Sequence, residues 1–225
     1  MAVRLSPKLL PALLVLGLVA LGIPQTADSV LWWLTGDSPD QLGAASPATA
    51  ASARHNAQLL ERAYDWFGDG RAEGRAGILR LRLATERPAG IDKAELDNAL
   101  NDLTTGLKHA PANAIGWAAL AQAQLAADDS AKAHAALTTS LLLDEHDPQL
   151  ALWRCALGLA LWDKLSQDDR RLWNAQVAMA WDRDPQGLVA LARHNGGVYT
   201  LPIRLSFLPD QSRLREFDRL LGVRH

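Results

Sequence analysis

Residues 117–148 read WAALAQAQLAADDSAKAHAALTTSLLLDEHDP. Alanine and leucine fill the stretch, which is interrupted once, by Asp128-Asp129-Ser130. Apolar and small residues recur at three- and four-residue spacing on both sides of that break. The stretch therefore reads as two helices joined by a tight turn. Small residues at facing positions let two helices approach closely, and larger ones on the neighbour fill the remaining gaps. One such hairpin cannot bury its own apolar face, so it needs neighbours of its own kind.

The rest of the chain supplies them. From Asn56 onward helical spacing continues almost without interruption, and no convincing run of strands intervenes. Glu86-Arg87-Pro88-Ala89-Gly90 breaks one helix, and Asp92 with Glu95 forms a capping box for the next. Asp147-Pro148 and Asp184-Pro185 each place a capping acceptor before a proline at the first helical position. Ser166 with Asp169 resembles a weaker box. Pro111, Pro148 and Pro185 are evenly spaced, 37 residues apart, and LLLDEHDPQ before the last interval resembles MAWDRDPQ after it. Such a period signals stacked helical hairpins.

These residues resemble the tetratricopeptide repeat (TPR), a unit of about 34 residues with a Trp, Leu, Gly/Ala signature on its first helix. In the central unit Trp117, Leu120 and Ala121 match the first helix, and Ala133 and Leu137 match the second. Ser140 replaces the usual alanine, and Pro148 arrives three residues late. The preceding unit matches on its second helix through Ala99, Leu103, Gly106 and Pro111, but its first helix, Arg71 to Thr85, lacks the tryptophan. The following unit has Trp153 in register, then Ala156 and Leu157, with Trp173 and Trp181 on its second helix. The resemblance spans Arg71 to Pro185. It implies a concave groove, lined by first helices, that binds a peptide or protein partner, and it makes Gln122, Arg154 and Trp162 the candidate groove residues.

Composition sets the limits. A chain of 225 residues with 48% hydrophobic content buries one core and carries a tail. A net charge of −2 leaves no basic excess for nucleic acid. The single Cys155 excludes an internal disulfide and says little about compartment.

The chain opens MAVRLSPKLLPALLVLGLVALGIPQ, with Arg4 and Lys8 ahead of an apolar run from Leu9 to Ile23. That layout fits an uncleaved anchor, a cleaved signal peptide or a buried helix. The run is short of the roughly 20 residues a spanning helix needs. Extension toward Val30–Leu34 would place Trp32 and Trp33 at an interface. Positive residues before the run keep that end cytoplasmic and send the remainder outward, into a bacterial periplasm. Residues 35–53 read as a flexible Gly, Ser, Pro and Ala linker, which favours the anchor, because a tether serves a segment that stays in the membrane.

No residue pattern encodes catalysis. Cys155 sits mid-helix among Ala, Leu and Trp, with no histidine nearby in sequence, and reads as a buried structural thiol. His109, His134, His146 and His194 show no metal-ligand spacing, so neither a metal nor another cofactor is expected. Gly68-Asp69-Gly70 with Gly74 and Gly77 lacks the lysine of a phosphate loop and reads as a helix break. His194-Asn195-Gly196-Gly197 reads as a helix cap. Trp117, Trp153, Trp162, Trp173 and Trp181 read as packing residues rather than a sugar platform, with Trp162 the best exception. Arg71, Arg75 and Arg82 fall on one helix side, opposite Ala72, Ala76, Leu79 and Leu83, as a solvated basic face or one for an acidic partner or lipid headgroups. Tyr199 to Leu208 alternates between two prolines and reads as an extended segment, followed by a short helix from Gln211 to Leu221. This end either caps the solenoid or lies in the groove and competes with a partner.

The expectation is an all-α protein, a short TPR-like helical-hairpin solenoid with an N-terminal transmembrane or signal helix. Residues 1–34 form the signal-anchor, 35–53 the linker, 54–197 the repeat domain, and 198–225 the extended segment and capping helix. The expected role is a non-catalytic scaffold for a protein partner in or near the bacterial inner membrane. The alternative is an accessory subunit of exopolysaccharide production or export, touching carbohydrate through exposed Trp and Arg.

Overall fold

The computed structural model describes residues 47–68, 70–86 and 90–223. Those residues form ten α-helices and no strand. They are α1 (Pro47–Phe67), α2 (Gly70–Thr85), α3 (Lys93–His109), α4 (Ala114–Ala126), α5 (Ser130–Leu143), α6 (Ala151–Ala160), α7 (Gln167–Arg183), α8 (Pro185–Arg193), α9 (Thr200–Ser206) and α10 (Gln211–Leu221). Short 3-10 turns at Trp162–Lys164 and His194–Gly197 join α6 to α7 and α8 to α9. The expected anchor, residues 1–34, and the linker up to residue 46 lie outside the described residues. No helix of the described residues is long and apolar enough to cross a membrane.

The helices pair as successive hairpins, α2 with α3, α4 with α5 and α6 with α7. First helices touch along the series, α2 on α4, α4 on α6 and α6 on α8. The opening stretch is the central hairpin. Its turn works because Asp128 takes the left-handed conformation (φ +61°), which a short polar side chain tolerates. Asp129 then caps α5 by accepting from the Lys132 amide at 3.1 Å. Ala118, Ala119, Ala121 and Ala123 of α4 meet Ala133, Ala136, Leu137 and Leu141 of α5 in the main core, which runs on from Leu81 to Phe217.

The tightest seam joins α2 to α3. A Cβ added at Gly106 would lie 2.6 Å from the Gly74 nitrogen and 2.7 Å from the Gly70 carbonyl oxygen, so the two backbones touch. Gly74 and Gly77 therefore lie inside a helix as contact residues. The break expected there falls earlier, at Gly68, with φ +68°.

Three further expectations need correction. Residues 47–53, assigned to the linker, are the first turns of α1. The segment is rich in alanine, the strongest helix former, and Pro47 occupies the first helical position, where its missing N–H breaks no bond. The extended reading of 199–208 fails because Thr200–Ser206 is α9. Pro202 sits in the first turn, where no intrahelical N–H bond is lost. Ile203 and Phe207, one helical turn apart, are buried while Leu205 between them is exposed. Third, Asp147 and Pro148 lie in a turn, Asp147 accepts from the Gln149 amide, and α6 begins at Ala151 with no side-chain cap. Asp184 does cap α8 as expected, with Pro185 at its start. Ser166 and Asp169 form the full reciprocal box at the head of α7.

The C-terminal helices close the far end of the series. Phe207 and Phe217 stack edge-on against Trp181 of α7, with ring centroids 5.3 and 6.0 Å away. Asp218, buried, accepts from Arg204 at 2.9 Å.

Candidate interaction surface

The three groove candidates do not converge. Gln122 of α4 is half-buried and accepts a 2.7 Å hydrogen bond from the Trp153 indole of α6, which ties adjacent first helices together. Trp162 lies in the turn after α6, packed edge-on against Trp173 at 5.1 Å, with the Arg170 guanidinium 4.6 Å from its ring centroid. Arg154 is the correction. It has no exposed surface and cannot line a groove. Its Nη2 donates to the Ser140 carbonyl (2.6 Å), its Nη1 to the Asp144 carbonyl (2.6 Å), and its Nε to the Ser140 hydroxyl (3.1 Å). Gln176 of α7 accepts from it at 3.3 Å and donates to the Glu145 carbonyl. The guanidinium thus sits on the last turn of α5, where free carbonyls and the negative end of the helix dipole offset its burial. Burial still pulls its pKa down, with Asp144 and Asp147 opposing.

The three arginines expected to form a basic face are all engaged. Arg71 is exposed, Arg75 and Arg82 are half-buried, and Arg82 pairs with Glu86 at 3.3 Å. Ala72, Ala76, Leu79 and Leu83 are buried on the other side. Trp173 and Trp181 are core residues, and Trp117 and Trp153 are half-buried. Cys155 is fully buried, and burial pushes its thiol pKa well up. No cluster of three metal-ligating side chains occurs among the described residues.

Sequence reading missed three features. Arg80, half-buried, is the centre of a charge cluster on α1, α2 and α3. It bonds Glu61 through Nε (2.8 Å) and Nη2 and donates to Glu95 through Nη1 (3.0 Å). Its Nε also lies 3.0 Å from Asp102 Oδ2, a charge contact without an aligned hydrogen bond, since that N–H serves Glu61. The second is Asp169, which accepts from Ser166 (2.6 Å), Thr138 (2.8 Å) and His134 (3.0 Å), so the cap of α7 also fastens α5. A carboxylate has no proton to give, so His134 Nε2 is the donor. Burial pushes the Asp169 carboxyl up, but the bonds from Ser166, His134 and Thr138 outweigh it and bring it down to about 2.

The third feature is an exposed apolar stripe at the closed end. Val198, Leu201, Leu205 and Leu208 are 70, 63, 48 and 53% exposed. Spaced by three and four residues through and around α9, they line the side opposite buried Ile203 and Phe207. Read as a helix, the sequence would have displayed them; read as a strand, it hid them. A shallow cleft of about 450 Å³ lies elsewhere, lined by Leu142 in the last turn of α5, Glu145 just after it, and Asp168, Arg171 and Leu172 of α7.

The described fold is thus of the all-helical class, built as a series of paired helices. Compared with known families, curated proteins and solved structures, the chain matches no family model, no curated protein and no solved structure.

Proposed function

We propose that this protein is a non-catalytic, TPR-like scaffold, held at the bacterial inner membrane by its N-terminal segment and presenting its helical body to a protein partner in the periplasm. The observation that carries the reading is the stripe of Val198, Leu201, Leu205 and Leu208, four exposed apolar side chains at helical spacing. Contiguous apolar surface of that kind marks contact sites. A ridge two turns long suits an amphipathic helix of a membrane-associated protein. A tether confines the search to the membrane plane and raises the effective concentration of such partners.

Proximity labelling from the C-terminal end in the native cell tests this. Labels concentrated on one set of membrane proteins, and lost in Leu201→Asp/Leu205→Asp with an unchanged melting temperature, support the reading. Diffuse labels, or labels on cytoplasmic proteins, refute the docking or the topology. A second reading, an accessory subunit of exopolysaccharide production or export, rests on Trp162, a half-buried indole beside a guanidinium. A saturable fluorescence response to oligosaccharides, abolished by Trp162→Ala, supports it, and silence across several polymers removes it.

A further inference from the structure

The buried residues of helix α1 lie outside the main core. Ala57, Leu60 and Ala63 meet Ala72, Ala76 and Leu79 of α2 in a small cluster separate from the main core. Four of those six residues are alanines, so little apolar area holds the helix down. Polar contacts supply the rest. Arg54 and Glu61 of α1 bond Glu95 of α3 and Arg80 of α2, and the Tyr64 hydroxyl lies 3.3 Å from His109 Nδ1 of α3.

The charges around this seam do not balance. Glu73 and Arg80, seven residues apart, share one face of α2, and Glu95 and Asp102 share one face of α3. Facing Glu73 are Glu61 and Asp65 from α1, Asp102 from α3 and Arg80 from its own helix. Neutral Asn113, ahead of α4, approaches Gly74. Arg71 and Arg75 lie on the opposite side of α2. Arg80 and Arg54 thus stand among five carboxyl groups; the Arg80 hydrogen bonds go to Glu61 and Glu95, and Asp102 has only the 3.0 Å charge contact with its Nε. Glu73 is 7% exposed, and its Oε2 has no hydrogen-bond partner.

We propose that α1 is a proton-controlled strap, seated on α2 and α3 while Glu73 and Asp102 are protonated and loosened when both ionise. Ionisation places Glu73 against Glu61 and Asp65 across the α1 seam and against Asp102 across the α2–α3 seam. The α2–α3 seam is backbone against backbone and continuous with the main core, so the alanine seam yields first. Loosening would uncover Ala72, Ala76 and Leu79, a second apolar face at the end nearest the N-terminal segment. Burial, then Asp102, Glu61 and Asp65, raises Glu73 to about 7, and burial, with Glu61 adding and Arg80 opposing, raises Asp102 to about 6. Both acids bind protons more tightly folded than unfolded, so their contribution falls as pH rises through those values.

Hydrogen exchange on the full chain in detergent, corrected for intrinsic rates, tests the strap at pH 5 and pH 8. The expected result is a loss of protection in 47–67 of about tenfold or more at pH 8, the factor for one unit of pKa difference, with α4–α7 unchanged. Glu73→Gln flattens that response, while His109→Gln leaves it in place. Equal α1 protection at both pH values overturns the proposal. So does a wild-type response in Glu73→Gln/Asp102→Asn, or its disappearance in His109→Gln alone. Protection of α4–α7 in each variant reports that the body is folded.

Discussion

Two glycines at one contact should respond to the same substitution with opposite signs. Gly74 and Gly106 both lie inside helices, so alanine gains about 1 kcal/mol of helix propensity at either site. At Gly74 the added Cβ meets the Asn113 side-chain nitrogen at 3.5 Å, an ordinary contact, and the gain is kept. At Gly106 it meets Gly74 N at 2.6 Å, Gly70 O at 2.7 Å and Gly74 Cα at 2.9 Å. Those are backbone atoms and cannot rotate away, so α2 and α3 must separate by the better part of an ångström. Overpacking of that kind costs about 1–3 kcal/mol, and here it moves whole helices, so the upper half of the range applies. The net for Gly106→Ala is a loss of about 1–2 kcal/mol, which for a body of this size lowers the melting temperature by about 2–8 °C. Gly74→Ala should raise it by about 2–4 °C. Thermal unfolding by circular dichroism, with urea titration for the free energies, reads both. A Gly106→Ala protein as stable as wild type would refute the backbone contact. Equal destabilisation by both variants would refute the assignment of which Cβ has room.

Arg154→Ala should lower stability by about 3 kcal/mol or more in urea titration, because it strands the Ser140 and Asp144 carbonyls and Gln176 inside the protein. A loss of partner labelling with unchanged stability would instead restore Arg154 to a surface role. Asp169→Ala should cost about 1–2 kcal/mol through the lost bonds from Ser166, Thr138 and His134. In the wild type the Asp169 carboxyl is held near 2, below its ordinary value of 3.8, so its contribution is complete above pH 4. It disappears as pH falls from about 4 toward 2, and urea midpoints across that range should fall less steeply in the variant. Cys155 should resist a thiol reagent in the native protein and react fully after unfolding; rapid native labelling would show that the α6 core opens.

The hairpin series was legible because its signals are local and redundant. Ser166 and Asp184 cap as their sequence pattern suggests, although Asp147 repeats the Asp184 pattern without capping α6, and Pro111, Pro148 and Pro185 punctuate the chain at a constant interval. Ambiguity entered where two periods fitted the same letters. Ile203, Leu205 and Phe207 alternate as a strand does, yet Ile203 and Phe207 also stand one helical turn apart, and packing on Trp181 selects the helix. Alanine after Pro47 suits either a linker or a helix, and here it continues the helix that Ala57, Leu60 and Ala63 seat on Ala72, Ala76 and Leu79. Arg154 and Glu73 were opaque for another reason. A charge on a helix reads as surface unless its partners are known, and these partners are carbonyls and carboxyls contributed by other helices. The three residues expected to share a groove were chosen by register alone, which gives no direction for a side chain once the turns between helices differ in length.

The Arg154 network bears on how this architecture can change over time. Repeat arrays ordinarily grow and shrink by copying or dropping one unit, since each unit touches its neighbours through generic apolar faces. Here the carbonyls come from the end of α5, the cation from α6 and the amide that completes the set from α7, so one buried polar set is divided between two consecutive hairpins. Excising the α6–α7 hairpin would remove the guanidinium and leave the α5 terminus with unanswered carbonyls. The end of α5 and the hairpin that follows it are therefore tied together as one unit of change.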